Sequence, residues 1–160
     1  MVKKEGNLAE IKKKYEVVRK KYKLPKFEEL DQEFDIRLIN KEGDIIKEVR
    51  RAILVRIDKC ADIIAPAISL EPVDLHSMIE ASGLKKDDKK KMFSTYKKLG
   101  HLLHAGLLAS FDSEQQQADF IRHAWNKWAG LRREVQDALK KITYEWTRKE
   151  EKEENVGYLG

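Results

Sequence analysis

Apolar residues recur at intervals of three and four along most of this chain, which is the spacing of one face of an α-helix. In the first such run the two intervals alternate strictly, so the apolar positions form one narrow stripe. Its members are Leu8, Ile11, Tyr15, Val18 and Tyr22. A stripe this narrow is typical of a helix that docks along another helix, in the same chain or in a partner. We therefore expect an amphipathic N-terminal helix.

Shorter apolar runs follow, separated by residues that end or interrupt helices: Pro25, Gly43, Pro66 and Gly83. The segment 27–34 predicts a short helix, because Phe27, Leu30 and Phe34 share one face while acidic residues cover the other. Asp44 is expected to cap a longer helix, which Pro66 is expected to close.

A further helix is predicted from about residues 85–88 to Phe111. At 100° per residue, its core face is expected to hold Met92, Tyr96, Leu99, Leu103 and Leu107. Beyond His101 the helix is apolar all round, which indicates a helix that lies between neighbours or at an interface.

The last helix has the clearest pattern, with one apolar face running through three tryptophans. That face holds Ile121, Trp125, Trp128, Leu131, Val135, Leu139, Ile142 and Trp146. Asp112 or Ser113 is expected to cap the helix, with Gln116 returning the capping-box bond if Ser113 is the cap. The predicted span is roughly 113–150, about 55 Å at 1.5 Å per residue.

Together these patterns predict an all-α protein, a helical bundle of about four to six helices with a long C-terminal helix. No alternation typical of strands and no internal repeat is evident. A chain of 160 residues favours a single domain over 1–160. Within it we expect the N-terminal helix and the short acidic helix in 1–40, the bundle core in 44–150, and a frayed charged tail in 151–160.

Charge is spread unevenly around a net value of +5, with basic segments at 1–26, 85–98 and 121–149. On the last helix, a row of polar and basic residues lies within roughly 80° of arc, away from the tryptophans. The row consists of Arg122, Asn126, Arg133, Lys140, Tyr144 and Arg148. Lys89, Lys90 and Lys97 could extend it into a basic surface. Such a surface could follow a phosphate backbone, and the alternative is an ordinary solvated helix face.

The expected compartment follows from three observations on the sequence. The single cysteine, Cys60, fits a reducing compartment, and no apolar run approaches the 18–20 residues or so that span a bilayer. The first residues carry charge without the apolar core of a secretory signal. We expect a cytoplasmic protein without a membrane partner.

Two of the four histidines, His101 and His104, lie three residues apart on one helix and about 60° from each other. A metal site needs three or four ligands, and no Glu-x-x-His pattern accompanies them. We expect histidines at the border of the core with ordinary hydrogen bonds, and we assign no catalytic residue, metal or cofactor.

Small residues in the same stretch indicate close approach of another backbone, because glycine lowers helix propensity by about 1 kcal/mol relative to alanine. The candidate packing or interface residues are Gly100, His104, Ala105, Gly106 and Ala109.

Three functions are compatible with these features. The leading hypothesis is a non-enzymatic protein that binds RNA, DNA or a ribonucleoprotein surface through backbone electrostatics. The second is a homodimeric adaptor or structural protein that acts by helix–helix association, with itself or with another helical protein. The third is a helical enzyme or metal protein that uses His101, His104 or His123.

Overall fold

A computed structural model describes residues 2–69 and 75–155 of the chain, and describes side chains for 8–69 and 76–147. Within these ranges the chain forms six α-helices and two 3-10 turns, and no strand. The elements are α1 (Val2–Tyr22), α2 (Phe27–Phe34), a 3-10 turn (Ile36–Leu38), α3 (Ile45–Ile68), α4 (Leu75–Ser82), α5 (Lys86–Leu108), a second 3-10 turn (Ala109–Phe111) and α6 (Glu114–Asn155). The prediction of an all-α bundle with an N-terminal helix and a long C-terminal helix is confirmed.

Two predicted helix starts have the expected side-chain caps. Asp44 Oδ1 accepts hydrogen bonds from the backbone N–H of Ile46 (3.0 Å) and of Lys47 (3.3 Å) at the start of α3. At the start of α6, Gln116 Oε1 accepts from the Ser113 N–H (3.2 Å), while Ser113 Oγ accepts from the Gln116 N–H (3.4 Å). These bonds satisfy backbone donors that have no partner within a helix.

Pro66 does not close α3, which continues to Ile68. Proline lacks the N–H that would bond to the carbonyl four residues earlier, but its fixed φ near −65° is compatible with helix. So near the end of α3, one missing hydrogen bond does not stop the helix.

Contacts between Cα atoms divide the chain into two compact units, each built from two separated stretches. The first unit comprises Met1–Asp58 and His101–Ala129, and the second unit comprises Lys59–Gly100 and Gly130–Gly160. Helices α3, α5 and α6 contribute residues to both. The single-domain organisation stays a prediction.

The core of the first unit forms where α1, α2, α3 and α6 turn their apolar faces inward. Its side chains with at most 5% exposure include Ile11, Tyr15, Phe27, Leu30, Phe34, Ile46, Val49, Ile53, Ile57, Ile121, Ala124 and Trp128. The Tyr15 ring meets the Phe27 ring edge to face at 5.7 Å, and its hydroxyl donates to the Pro25 carbonyl (2.8 Å). Burial raises the pKa of the Tyr15 hydroxyl. The narrow α1 stripe thus docks within the same chain.

In the second unit, α5 and α6 are joined by buried apolar residues and by bonds across the pair. Met92, Leu99, Leu131 and Ile142 are at most 5% exposed. The buried Thr95 hydroxyl on α5 donates to Glu134 Oε2 on α6 (2.8 Å).

Helix α4 is attached to α6 in the same unit through the buried carboxylate of Glu80. Glu80 Oε1 accepts from Trp146 Nε1 (3.2 Å) and lies 3.0 Å from His76 Nε2. The His76 and Trp146 rings are 5.0 Å apart.

The core face of α5 differs from the predicted one. Buried positions are Met92, Thr95, Leu99, Leu102, Gly106 and Ala109. Tyr96 and Leu107, both expected in the core, are 37% and 54% exposed. At 100° per residue the real face is rotated by about 70° from the predicted one. The prediction was wrong because the second half of α5 is apolar on every side, so the pattern favoured no single face.

Candidate nucleic-acid interface

The row of residues predicted on α6 is divided between the two units. Arg122 and Asn126 belong to the first unit, whereas Arg133, Lys140 and Tyr144 belong to the second. The remaining member, Arg148, has a side chain outside the described residues. The two parts are therefore considered separately.

Arg122 acts within the first unit as a helix cap. Its Nη1 donates to the Tyr22 carbonyl at the end of α1 (3.1 Å), and its Nη2 pairs with Asp119. The last carbonyls of a helix have no partner within the helix, and a cation there also interacts favourably with the helix dipole. Asn126, four residues on, is exposed.

The second-unit members of the row lie in solvent. Arg133 is exposed, Tyr144 is 61% exposed, and Lys140 Nζ is 3.7 Å from Asp137 Oδ1 with both side chains more than 70% exposed. A pair this exposed contributes at most about 1 kcal/mol, so it restrains Lys140 only weakly.

A second row, of four lysines and one phenylalanine, lies on the outer face of α5 in the second unit. We call it the α5 stripe; it consists of Lys86, Lys89, Lys90, Phe93 and Lys97. The spacings of three, four, seven and eleven residues put the side chains on one helix face. That face is nearly opposite the buried positions Met92, Thr95 and Leu99. The stripe residues are exposed except Lys89, which is half-buried.

Phe93 is the aromatic centre of the α5 stripe. Its side chain is 53% exposed, and Lys97 Nζ lies 5.9 Å from the centre of the ring, at the outer limit of a cation–π contact. Asp87, itself in solvent, lies 3.8 Å from Lys90 and reduces the positive charge at that end.

A cavity of about 450 Å³ lies between α5 and α6 in the second unit, with lysines and carboxylates in its lining. Lys98 Nζ is 2.6 Å from Glu134 Oε1, and Lys141 pairs with Asp88. The bond from Lys141 lowers the pKa of the Asp88 carboxyl. Burial raises the pKa of Glu134, but hydrogen bonds from Lys98 and Thr95 outweigh burial and lower it overall. The lysines and carboxylates that line this cavity form ion pairs between α5 and α6, and these pairs hold the two helices together.

The predicted interface residues have different surroundings. Gly106 is buried, and a Cβ there would lie 2.4 Å from Leu54 Cδ2 and 2.7 Å from Phe120 Cζ. Arg50 Nη1 donates to the Gly106 carbonyl near the end of α5 (2.9 Å). A Cβ on Gly100 would meet nothing within 4 Å. Gly106 is thus packed against side chains of α3 and α6, and the close approach of another backbone stays a prediction.

Of the remaining interface residues, Ala109 is buried, Ala105 is half-buried and His104 is exposed. His104 shares the outer face of α5 with Leu107 and Leu108, and Phe111 follows in the 3-10 turn. These three apolar side chains are 54%, 68% and 89% exposed.

The histidines stand apart from any cluster of metal-binding groups. His101, His104 and His123 are exposed. Among the side chains that the structure describes, no group of three or more His, Cys, Asp and Glu residues is arranged to hold a metal ion.

Lys86 and Phe93 were not among the residues predicted to bind nucleic acid, although the sequence contained a usable signal. Both lie in helical register with Lys89, Lys90 and Lys97. Phe93 is next to Met92 in sequence, and its exposure follows only from the buried face that the structure shows for α5.

Comparisons with known proteins and a search for membrane spans complete the description. No family model, curated protein or solved structure matches the chain. In the part of the chain that is described, no helix is both long enough and apolar enough to cross a membrane.

Proposed function

We propose that the protein binds nucleic acid, free or in a ribonucleoprotein, through contacts from second-unit lysines to the phosphate backbone. The observation that carries the proposal is the α5 stripe, where Lys86, Lys89, Lys90 and Lys97 share one solvent-facing side of a helix. Cations along one face of a helix can contact several phosphates and displace condensed counterions, which makes binding favourable and sensitive to salt. The single cysteine is compatible with a role in the cytoplasm.

The local charge of α5 supports this assignment. Residues 85–98 hold seven lysines against two acidic residues, Asp87 and Asp88. Lys98 and Lys141 are committed to the ion pairs between α5 and α6. The lysines of the α5 stripe point away from that network, so phosphates could approach them without breaking bonds that hold the fold.

The test is fluorescence anisotropy with a labelled RNA strand of about 20 nucleotides at about 50 and 300 mM salt. Four lysine–phosphate contacts predict a loss of affinity of about a hundredfold between these salt concentrations. The double variant Lys89→Glu with Lys90→Glu is expected to weaken binding by a similar factor at low salt. Thermal melts should stay close to those of the wild type, because Lys90 is exposed, Lys89 is half-buried, and neither takes part in the ion pairs between α5 and α6.

Two further double variants change the net charge by the same amount. Arg133→Glu with Lys140→Glu measures any contribution from α6. Lys13→Glu with Lys127→Glu alters exposed first-unit positions and is the control for overall charge. The proposal predicts that the α5 variant loses much more affinity than this control. Equal losses, or binding that ignores salt, would contradict it.

A second candidate function is self-association through the outer face of α5 in the first unit. Leu107, Leu108 and Phe111 expose three large apolar side chains close together in sequence, beside His104. Adjacent exposed apolar residues of this size are typical of protein interaction sites. Light scattering at high micromolar concentration should then give a dimer mass, and Phe111→Glu should give a monomer mass. A monomeric wild-type protein would contradict this alternative.

A further inference from the structure

An aromatic side chain stands in the middle of the α5 stripe, where a purely electrostatic surface would not need one. Phe93 is flanked by lysines one turn to either side, at Lys89 and Lys97, and about half of its surface is exposed. A single exposed apolar residue is ordinary on a protein surface. Phe93 differs from such a residue because it lies beside a pocket.

Phe93 forms part of the lining of a pocket of about 620 Å³ in the second unit. The apolar part of the lining comes from Phe93, from Ile68 at the end of α3 and from Leu84 in the loop before α5. Its polar part comes from Lys86, Lys89 and Lys90. A pocket of this size accommodates a small organic group. Its lining suits a ligand with a flat apolar part joined to an anionic part.

The extent of the cationic row identifies the class of ligand. From Lys86 to Lys97 the stripe runs eleven residues, about 16 Å along the helix. Lys97 lies beyond the pocket, on the far side of Phe93. A single anionic head group would engage the pocket lysines and leave Lys97 without a role, whereas an extended polyanion reaches all four. Among polyanions, nucleic acids also carry flat rings that stack on aromatic side chains.

We infer that Phe93 and the pocket beside it hold an unstacked base, so that the protein binds single-stranded nucleic acid in preference to duplex. This inference rests on the proposed nucleic-acid function. In a duplex the bases are stacked within the helix and their faces cannot reach a side chain, whereas a single strand can turn a base outward. The stripe lysines bind the phosphates on either side, and the base stacks on the Phe93 ring between Ile68 and Leu84.

The experiment compares three labelled probes with equal numbers of phosphates: an oligothymidine strand, an abasic strand of the same length, and a hairpin duplex. The wild type is expected to bind oligothymidine about tenfold more tightly than the abasic strand, since one stacked base contributes an effect of this order. The duplex should bind no better than the abasic strand.

Phe93→Leu removes the ring face and keeps an apolar side chain in the pocket lining. It is expected to lower the affinity for oligothymidine to that for the abasic strand, with no change in abasic binding. Phe93→Tyr, which retains the ring, should behave as the wild type. Phe111→Leu is the matched control, because Phe111 is 89% exposed in the first unit and outside the stripe. It should leave all three affinities unchanged.

The outcomes separate this inference from the function on which it rests. Salt-sensitive binding of all three probes with equal affinity, or an oligothymidine affinity that Phe93→Leu leaves intact, overturns base stacking and leaves phosphate binding in place. Absence of salt-sensitive binding to every probe overturns both. If oleate or an acidic peptide binds with one-to-one stoichiometry and Phe93→Leu abolishes that binding while base discrimination is absent, the pocket serves that ligand and the inference is wrong.

Discussion

The two units use their cations in different ways. In the first unit, three arginines point at the carboxyl ends of helices: Arg50 bonds to the Gly106 carbonyl, Arg56 to the Glu33 carbonyl (3.0 Å) and Arg122 to the Tyr22 carbonyl. In the second unit, the lysines of the α5 stripe are exposed or, at Lys89, half-buried, and they lie away from the ion pairs between α5 and α6. Guanidinium groups can bond to a carbonyl and a carboxylate at once, as Arg56 does with Glu33 and Asp35. The number of positive charges is therefore a poor guide to anion binding, because a cation that already bonds to a helix carbonyl is less available to a ligand.

The largest expected change in stability distinguishes two glycines of α5, Gly106 in the first unit and Gly100 in the second. Gly106→Leu should destabilise the protein by about 2–3 kcal/mol, because the side chain would have to displace Leu54 and Phe120 in a packed region. Gly100→Leu should be neutral or stabilising by up to about 1 kcal/mol, since a Cβ there meets nothing and leucine favours helix. Urea unfolding of the two variants measures both values. Equal destabilisation would mean that packing around α5 does not differ between the units.

A smaller effect is expected from the arginine that caps α1. Arg122→Met should cost about 1–2 kcal/mol of stability, because the Tyr22 carbonyl loses its partner and the end of α1 loses a cation. Arg133→Met, on the same helix in the second unit, should change stability by less than about 0.5 kcal/mol, since Arg133 is exposed. Thermal melts monitored by circular dichroism distinguish the two. A large loss at Arg133 would show that it has a structural role.

The smallest effect concerns acid stability in the second unit. The pKa of Glu134 is lowered in the folded protein, so its ionised form stabilises the fold above the unfolded pKa, near 4.3. That contribution is lost as the pH falls through the lower, folded pKa. Glu134→Gln should therefore lower stability at pH 7 and make stability fall less steeply between about pH 5 and pH 3. Unfolding curves across that range, with exposed Asp137→Asn as control, measure the difference. Parallel pH profiles for wild type and Glu134→Gln would contradict it.

Local sequence signals predicted the helices well. The Ser113 and Gln116 pair marked the start of α6 because capping is decided within one turn of chain, and the tryptophan face of that helix was clear because polar residues cover its other side. The face of α5 was predicted poorly, since apolar residues surround its second half and only packing against α3 and α6 selects the buried side.

Only those residues of the candidate site that local sequence reveals could be predicted. Lys89, Lys90 and Lys97 belong to the expected basic surface and to the α5 stripe. The role of Arg122 could not be predicted from local pattern, because its partner Tyr22 lies 100 residues away in the chain. To predict that Phe93 is exposed in the α5 stripe, the buried face of α5 must be known, and that face depends on long-range packing. Sequence therefore indicated where cations are dense, and tertiary structure determined which of them bond to other helices.

The interleaved composition of the units has a consequence for synthesis. The first unit is built from Met1–Asp58 and His101–Ala129. When the chain has emerged from the ribosome as far as Asp58, the second of these stretches has not yet been synthesised. At 5–20 residues per second, the intervening and completing residues take roughly 4–14 s to emerge. During that interval the apolar faces of α1 and α3 lack part of their packing surface. The carbonyls of Tyr22 and Glu33 differ in when their arginine partners are synthesised. Glu33 can be capped at once by Arg56, whereas Tyr22 waits for Arg122. We therefore expect these apolar faces to stay partly uncovered until His101–Ala129 has emerged, and a ribosome stalled between the two stretches would leave them so.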